Sequence, residues 1–387
     1  MPWQESSVVE ERLRFVVTAS RKEQRFSELC REYGISRQTG YTWLKRYASG
    51  GSSQVVDRSR RPQYSPARTA GEIEQEVVEL RRCWPDWGAP KLHVLLGRQH
   101  QGSSPIAVRT VHRILERHDL IRDQDRHSPA LKHFERSQPN ELWQMDFKGP
   151  QGLSKISPVG PLSILDDHSR YVLALEQLGS TQMRGVHATL QTTFEQCGVP
   201  EAMLMDHGTP WWNGASPWGI TEVAVWIMRQ GVRLLFSGIR HPQTQGKVER
   251  MHGALQQAVC KRRADLLEQS WLDAFRQEYN HIRPHESLGM ATPASRWRPS
   301  DRVFQSAPPE WDYPAGMRVV RLAGEGQLFW RGRRWEISNA LRGQLVGLEL
   351  VGDRALVYFY RTPLRELDGA AGTSFAIPAN VSQVNSG

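Results

Sequence analysis

Apolar residues in the middle of the chain follow two different periods, which distinguish strands from helices. Short apolar or alternating runs predict strands over residues 141–148, 162–166, 170–176, 201–205 and 232–236. Apolar residues three or four positions apart predict a helix with the stripe Met183, Val186, Leu190, Phe194 and Cys197. We expect Ser180 to cap this helix and Gly198 to end it, with further helices over 218–228 and from about residue 243. Short turns connect the first three predicted strands, and helices lie between the later ones. This order predicts an α/β sheet with helices on its faces.

A helical region before this sheet, residues 8–48, has the pattern of a helix-turn-helix. Gly34 can adopt the turn between two helices, and Ser36 can cap the second one. Tyr41 and Leu44 would then pack inward. The outward side chains, which a DNA groove would receive, are Arg37, Gln38, Thr39, Thr42 and Arg46. A helical hairpin with a solvated polar face is the alternative interpretation.

A second helical region, about residues 69–122, repeats this pattern. Its last helix has an apolar stripe through Val111 and Leu115, which leaves Arg109, His112 and Arg113 exposed. Arg58, Arg60 and Arg61 lie in the linker between the two regions, where they could enter a minor groove or simply be solvated. Two such units in tandem indicate DNA binding better than either does alone.

The last part of the chain, residues 316–367, consists of short alternating apolar segments separated by glycines. This pattern predicts a small all-β, SH3-like barrel followed by a polar tail. Breaks in composition divide the chain into predicted domains at residues 1–50, 67–123, 137–300, 314–368 and 369–387.

The excess of basic over acidic residues is compatible with a polyanionic partner but does not require one. The formal net charge is +9 and the pI is about 9.6. The four cysteines are far apart and include no CxxC pair, which argues against a disulfide framework or a cysteine-rich zinc site. No apolar run resembles a signal peptide or a membrane span. We therefore expect no membrane partner and a soluble protein of a reducing compartment.

Two aspartates occupy unusual places in the predicted sheet. Asp146 interrupts an apolar strand, and Asp206 follows another strand at its carboxyl end, where ligands bind in α/β sheets. A buried carboxylate needs a partner or a metal, and one such aspartate alone is more often structural. With Glu249, early in the later helix, they form a set of hard oxygen ligands suited to Mg²⁺.

Other acidic residues compete for this assignment. Asp167 is expected to pair with Arg170 and fix a hairpin turn. Glu222, on a predicted helix shortly after Asp206, is the alternative third carboxylate.

Five segments carry a resemblance to a known family. They are WQMDFKG, LDDHSRYVLA, DHGTPWWN, HPQTQGKVERMHGAL and YNHIRPHESLGMATPASRW. Their order resembles that of the integrase core of DDE insertion-sequence transposases and retroviral integrases, over roughly residues 140–297. The upstream helix-turn-helix units are also similar to those of insertion-sequence transposases. The chain departs from the family at His207, where Asn is usual.

The resemblance implies an RNase H-like fold with Asp146, Asp206 and Glu249 as the catalytic and metal-binding triad. Two Mg²⁺ ions per site, which Mn²⁺ could replace, would stabilise the attacking and leaving oxygens of a phosphodiester. Lys247 and Arg250 flank Glu249 and would neutralise phosphate, unless they are only exposed helix charges.

The implied activity is that of a DNA transposase. It would bind the terminal repeats of a mobile element, cleave the 3′ strands and join them to target DNA. The partners would be double-stranded DNA of the element ends and target, and at least a second copy of the chain, with a helper ATPase left open.

Two other functions are compatible with parts of the sequence. One is a catalytically inactive, domesticated transposase that acts as a sequence-specific DNA-binding regulator. The other is a structure-specific nuclease of the RNase H superfamily that does not join DNA. The three carboxylates argue against the first function and the tandem helix-turn-helix units argue against the second.

Overall fold

The computed structural model describes residues 8–57, 69–121, 135–148, 159–213, 219–236, 246–262 and 268–377. The chain divides into two compact units, Met1–Arg68 and Thr69–Gly387. Among the described residues, no helix combines the length and the apolar character that crossing a bilayer requires.

The first unit is a small helical bundle. Its helices are α1 (Val8–Arg21), α2 (Phe26–Glu32) and α3 (Arg37–Gly50). Gly34 has a φ of +65° in the turn before α3, and Ser36 accepts a hydrogen bond from the Thr39 amide at 3.1 Å. The predicted glycine turn and serine cap are therefore confirmed.

The prediction that Tyr41 packs inward is wrong. Its side chain is 60% exposed and lies on the Phe26 ring, with the ring centroids 4.4 Å apart. The preceding residue, Gly40, takes the inward position, where a Cβ atom would lie only 2.8 Å from Phe26 and 2.9 Å from Cys30. Because α3 approaches α1 and α2 most closely at Gly40, its neighbour Tyr41 is turned toward solvent.

The second unit begins with another helical bundle. Its helices are α4 (Gly71–Cys83), α5 (Ala89–Gln99) and α6 (Val108–Arg117). The stripe predicted for α6 is buried, with Val111 and Ile114 fully covered and Leu115 1% exposed. Packing of this stripe on α4 and α5 leaves the basic face of α6 in solvent.

A mixed five-stranded sheet follows, with helices on both faces. Its strands are β1 (Trp143–Phe147), β2 (Leu162–Asp166), β3 (Val172–Glu176), β4 (Ala202–Met205) and β7 (Arg233–Phe236), and the short pair β5 (Trp212–Asn213) and β6 (Gly219–Ile220) stands apart. Its helices are α7 (Met183–Cys197), α8 (Glu222–Arg229), α9 (Gly246–Arg262) and α10 (Gln269–His281). The strand order is β3-β2-β1-β4-β7, with antiparallel pairs up to β1 and parallel pairs from β1 onward.

The helix boundaries differ from the predictions at two places. α7 begins after Gln182, which makes no side-chain cap, so Ser180 is not the cap; Gly198, with a φ of +74°, does end the helix. α8 begins only at Glu222, because Gly219 and Ile220 form a strand where the sequence predicts a helix.

The sheet separates two apolar layers. Alternate residues such as Trp143 and Met205 pack against α7 and α8. Residues of the opposite face, such as Leu165, pack against α9 and α10. This alternation follows from the pleat of a strand, in which successive side chains point to opposite faces.

Side chains cover both edges of this sheet. On β3, the Asn280 amide accepts from the Val172 N–H at 2.8 Å and donates to the Val172 carbonyl at 2.9 Å. Arg276 and Gln269 of the same helix, α10, donate to two further carbonyls of β3. On β7, the Thr362 hydroxyl accepts from a backbone N–H at 3.4 Å. Several backbone groups at the β3 edge, and one at the β7 edge, are thus paired within the chain.

The last region is β-rich and shares an apolar cluster with α7 and α8. Its strands are β8 (Arg318–Arg321), β9 (Gln327–Trp330), β10 (Arg333–Glu336), β11 (Leu345–Val351), β12 (Arg354–Phe359), β13 (Thr362–Asp368) and β14 (Thr373–Ala376). β14 pairs with β13, so part of the predicted tail belongs to the sheet. The predicted order of helical regions, α/β core and all-β region is confirmed.

Removing the Asn280 side chain should destabilise the sheet edge. Asn280→Ala leaves the buried N–H and C=O of Val172 without partners, which should lower the free energy of unfolding by about 2–4 kcal/mol. Urea denaturation followed by tryptophan fluorescence measures this loss. Gln196→Ala, an exposed amide on α7, is the control and should change stability by less than about 0.5 kcal/mol. Equal stability of the two variants would contradict the role of Asn280.

Candidate catalytic site and DNA-binding surfaces

Strand pairing brings Asp146 and Asp206 to one face of the sheet. β1 and β4 are parallel, with Gln144 opposite Leu204. Continuing this register by two residues places Asp146 beside Asp206, because residues two apart on a strand share a face. This is the face that α9 covers, since Asp146 also lies opposite Ser163 and 3.9 Å from His252 of α9.

Contacts with three other segments fix the beginning of α9, which carries Glu249. The Val248 amide donates to the buried Gln144 side chain at 3.3 Å. The Lys247 ammonium pairs with Asp167 at 2.5 Å, and one turn after Glu249 the His252 imidazole hydrogen bonds Ser163 at 2.9 Å. These contacts hold the backbone at Glu249 over β1 and β2.

The Asp206 carboxylate is oriented by the loop that follows it. One oxygen accepts from the Trp211 indole at 2.7 Å and from the Gly208 amide at 3.0 Å. A Cβ atom at Gly208 would lie 2.9 Å from both carboxylate oxygens, so this position suits glycine. Trp211 in turn stacks on Phe147, the residue after Asp146, with centroids 5.7 Å apart.

The three carboxylates influence one another electrostatically. Burial, together with the negative charges of Asp206 and Glu249, raises the pKa of Asp146 to about 7. Burial also lowers the pKa of His252 to about 3. The imidazole is therefore neutral, and its contact with Asp146 is not an ion pair. A cation near Asp146 would relieve the repulsion that these carboxylates create.

The carboxylate oxygens of Asp146, Asp206 and Glu249 suit a divalent metal ion, although the three side chains do not all point to one position. Over the described residues, no three acidic, histidine or cysteine side chains are arranged closely enough to hold a metal ion. Glu249 is exposed at the start of α9, so its carboxylate can change rotamer at little cost. Carboxylate oxygens are the ligands that Mg²⁺ and Mn²⁺ prefer, and the raised pKa of Asp146 marks a place where positive charge is favoured.

Asp167 and Lys247 have different partners from those predicted. Asp167 is fully buried and accepts from Gln144 as well as pairing with Lys247. Arg170 instead pairs with Glu135 at 2.7 Å and reaches only the backbone carbonyl of Asp167. The Lys247 side chain is 11% exposed, so it stabilises the fold here instead of facing solvent as a phosphate contact would.

The other candidate acid and His207 lie outside this cluster. Glu222 begins α8, which packs on the opposite face of the sheet, so it does not join Asp146. His207 is exposed and its ring contacts Trp212 and Phe236 at 5.0 and 5.4 Å between centroids. His252 and Trp211 were not among the residues predicted from the sequence. The position of His252, one helical turn after Glu249, is a sequence signal for its place beside the carboxylates.

On α3, most of the predicted DNA contacts are exposed along one face. A shallow recess on this face is lined by Arg37, Gln38, Tyr41, Thr42 and Lys45. Tyr41 and Lys45 were absent from the predicted set. Thr39 is exposed at the first turn, whereas Arg46 is half-buried, with its guanidinium 4.8 Å from the Trp43 ring.

The second unit presents its predicted basic side chains on two helices. Arg109, His112 and Arg113 are exposed on α6, and Arg250 is exposed on α9. The linker arginines Arg58, Arg60 and Arg61, like the segment 241–245 before α9, lie outside the described residues.

Comparison with known proteins matches three family models to the chain. A helix-turn-helix domain matches residues 11–63, a homeodomain-like domain matches 39–115, and an integrase core domain matches 230–293. The last match includes the beginning of α9 with Glu249.

Three of the curated relatives come from mobile elements. An uncharacterized 31.7 kDa protein of insertion element IS407 of Burkholderia multivorans is 23% identical over 67% of this chain and 91% of its own length. The transposase for transposon Tn552 of Staphylococcus aureus is 24% identical over 45% of this chain and 40% of its own length. A chain of the simian T-cell lymphotropic virus intasome in complex with PP2A regulatory subunit B56 gamma is 17% identical. The superposed region covers 78% of this chain and 96% of the intasome chain, with a TM-score of 0.35.

The pKa of Asp146 predicts how the metal-free protein responds to pH. A carboxyl whose pKa is higher in the folded state than its usual 3.8 favours the protonated form, so stability falls as pH rises from that value through about 7. Asp146→Asn stays neutral. In the presence of a chelator, the free energy of unfolding of this variant should therefore exceed that of the wild type by roughly 3 kcal/mol near pH 8, and by much less near pH 5. Thermal unfolding at the two pH values tests this.

Glu222→Gln, at an exposed position, is the control and should follow the wild type at both pH values. A gain from Asp146→Asn that is independent of pH would show that packing, not charge, causes it.

The matched domains, the mobile-element relatives and the order of folded regions agree with one another. The chain therefore contains helix-turn-helix and integrase core domains, and it is similar to proteins of insertion elements and to a transposase.

Proposed function

We propose that this protein cuts the 3′ strands at the ends of a mobile DNA element and joins them to target DNA. Asp146, Asp206 and Glu249 are the catalytic carboxylates in this proposal. The observation that carries it is the placement of Asp146 near the end of β1 and of Asp206 directly after the parallel strand β4, on the face covered by the helix of the third acid. The raised pKa of Asp146 supports this, because its causes include both other carboxylates.

These carboxylates would hold divalent metal ions, most simply Mg²⁺. When bound, such ions neutralise charge on the phosphodiester and make water or a 3′-OH a better nucleophile at neutral pH. The fold supplies the orientation. Trp211 and the Gly208 amide hold one oxygen of Asp206, so the other remains available. Neutral His252 fills the space beside Asp146 without competing as a cation.

The helix-turn-helix regions would bind the terminal repeats of the element. α3 presents Arg37, Gln38 and Thr42 on one exposed face, and α6 presents Arg109 and Arg113. Such side chains can contact base edges or phosphates in a major groove. Since two element ends must be joined, at least two copies of the chain would act together.

Strand cleavage and joining test the proposed chemistry. Purified full-length protein is incubated with Mg²⁺ and end-labelled duplexes copied from the DNA that flanks its gene. The wild type should give 3′ nicks and joined products, whereas Asp206→Asn and Glu249→Gln should lower both by at least about 100-fold, because each loses a metal ligand.

Glu222→Gln is the matched control and should retain full activity, since Glu222 lies on the other side of the sheet. Tight sequence-specific binding without products, in Mn²⁺ as well, would favour a DNA-binding regulator instead. Nicks without joined products would favour a nuclease.

The role of α3 is tested by Arg37→Gln with a pool of random duplexes. If Arg37 contacts a base, the preference at one position of the selected sequence should be lost, at a cost of about 1–3 kcal/mol for the preferred sequence. If it contacts a phosphate, affinity should fall for all sequences and the salt slope should decrease by about 0.9. Sequencing of bound duplexes and binding at several salt concentrations separate these results.

Arg21→Gln, which changes an exposed arginine at the end of α1, is the control for charge alone. An Arg37 variant that behaves like this control would remove α3 from the DNA interface.

A further inference from the structure

A buried carboxylate joins the second helical region to the catalytic sheet region. Asp86 lies in the loop between α4 and α5, and its side chain has no exposed surface. Arg262, at the end of α9, donates two hydrogen bonds to one carboxylate oxygen, at 3.0 and 2.8 Å. Arg283, just after α10, donates to the other oxygen at 3.2 Å. One oxygen of Asp86 is thus bound by α9 and the other by the segment that follows α10.

The charges in this cluster balance. Arg262 also binds Glu278 of α10 through two nitrogens, at 2.5 and 2.6 Å. Two carboxylates therefore face two guanidiniums in a largely buried place. Removing one partner from such a cluster would leave an uncompensated buried charge, which is strongly destabilising.

Contacts around the cluster extend the same junction. Trp84 and Trp87, on either side of Asp86, stack on each other at 4.5 Å between centroids. Arg262 lies over the Trp84 ring at 5.5 Å, and Arg283 over the Trp87 ring at 5.6 Å. These contacts orient the loop as well as anchoring it.

Helix α5 makes two further contacts with the segment after α10. Lys91 pairs with Glu286 at 3.0 Å, and Arg98 donates to the Ile282 carbonyl at 2.9 Å. Within the motif YNHIRPHESL, Arg283 and Glu286 therefore have partners in the α4–α6 bundle that the sequence alone did not reveal. These two residues contact the α4–α6 bundle at Asp86 and Lys91.

We propose that Asp86 is a positioning residue, which fixes the α4–α6 bundle on the catalytic region so that a duplex held by α6 is presented to Asp146 and Asp206 in one register. This rests on the proposed function, because it assumes that α6 contacts DNA and that the carboxylates cut it. A bundle that is docked firmly would determine which phosphodiester is cut. A loosened bundle would still bind DNA but would present it less uniformly.

Tethered cleavage tests the docking without using the native chemistry. Cys83 and Cys260 are exposed and Cys30 and Cys197 are buried, so Cys83→Ser leaves Cys260 of α9 as the accessible thiol. An iron–EDTA group attached there cuts nearby DNA with ascorbate and peroxide. The probe is again the end-labelled duplex copied from the flanking DNA, and Mg²⁺-dependent nicking is measured separately on the unmodified proteins.

In the otherwise wild-type chain, tethered cuts should be confined to a short run of nucleotides. Asp86→Asn should broaden that run and lower the nicking rate by up to about 100-fold, as misplacement of a substrate does. Its Kd for the duplex should change by less than about threefold. Asp353→Asn, which removes the partner of Arg331 in the β-rich region, is the matched control and should keep the run narrow.

Glu286→Lys provides a second variant in case Asp86→Asn does not fold. Its side chain is 63% exposed, and the change places a positive charge against Lys91. It should also broaden the tethered cuts. One outcome separates the two proposals. If the tethered cuts are confined in the wild type and broadened in the variants, but no protein makes Mg²⁺-dependent nicks, the positioning role is supported and the proposed catalysis is overturned. An equally narrow run in the folded variants, or a broad run in the wild type, would overturn the positioning role.

Discussion

The parallel pairing of β1 with β4 is the constraint from which the candidate site follows. Because the strands run in the same direction, their carboxyl ends meet, and the pleat turns Asp146 and Asp206 to the same face. Placing two carboxylates together is unfavourable, and burial of Asp146 makes it more so. The surrounding hydrogen bonds therefore maintain an arrangement that the acids alone would oppose.

The beginning of α9 shows how the fold separates rigidity from adaptability. Lys247, Val248 and His252 are bound to three different segments, so the helix backbone cannot shift easily. Glu249 lies among them, yet its own side chain reaches into solvent. The backbone of Glu249 is therefore fixed while its side chain can change rotamer. Such freedom suits a ligand that must adjust to an incoming ion.

Local signals in the sequence predicted local structure well. Ser36 caps α3, Gly198 ends α7, and the run at 162–166 forms β2 as predicted, because caps and periodicity depend on neighbouring residues. Long-range pairings were not predictable in this way. The outward position of Tyr41 depends on the close approach of α1 and α2 to Gly40. Likewise, the partner of Asp167 lies 80 residues further on and that of Asp86 nearly 200 residues further on. For the triad, the sequence supplied the residues and their strands, whereas the orienting contacts of Trp211 and His252 required the structure.

The hydrogen bonds at the edges of the five-stranded sheet bear on how copies of this chain can associate. Asn280 and its neighbours on α10 occupy the backbone groups of β3, and Thr362 occupies part of β7. Addition of a strand from a second molecule is therefore disfavoured at the β3 edge. In the proposed function, copies of the chain would then be held together at other surfaces or by a shared duplex, so the nucleic acid would be a component of the assembly as well as the molecule that is cut.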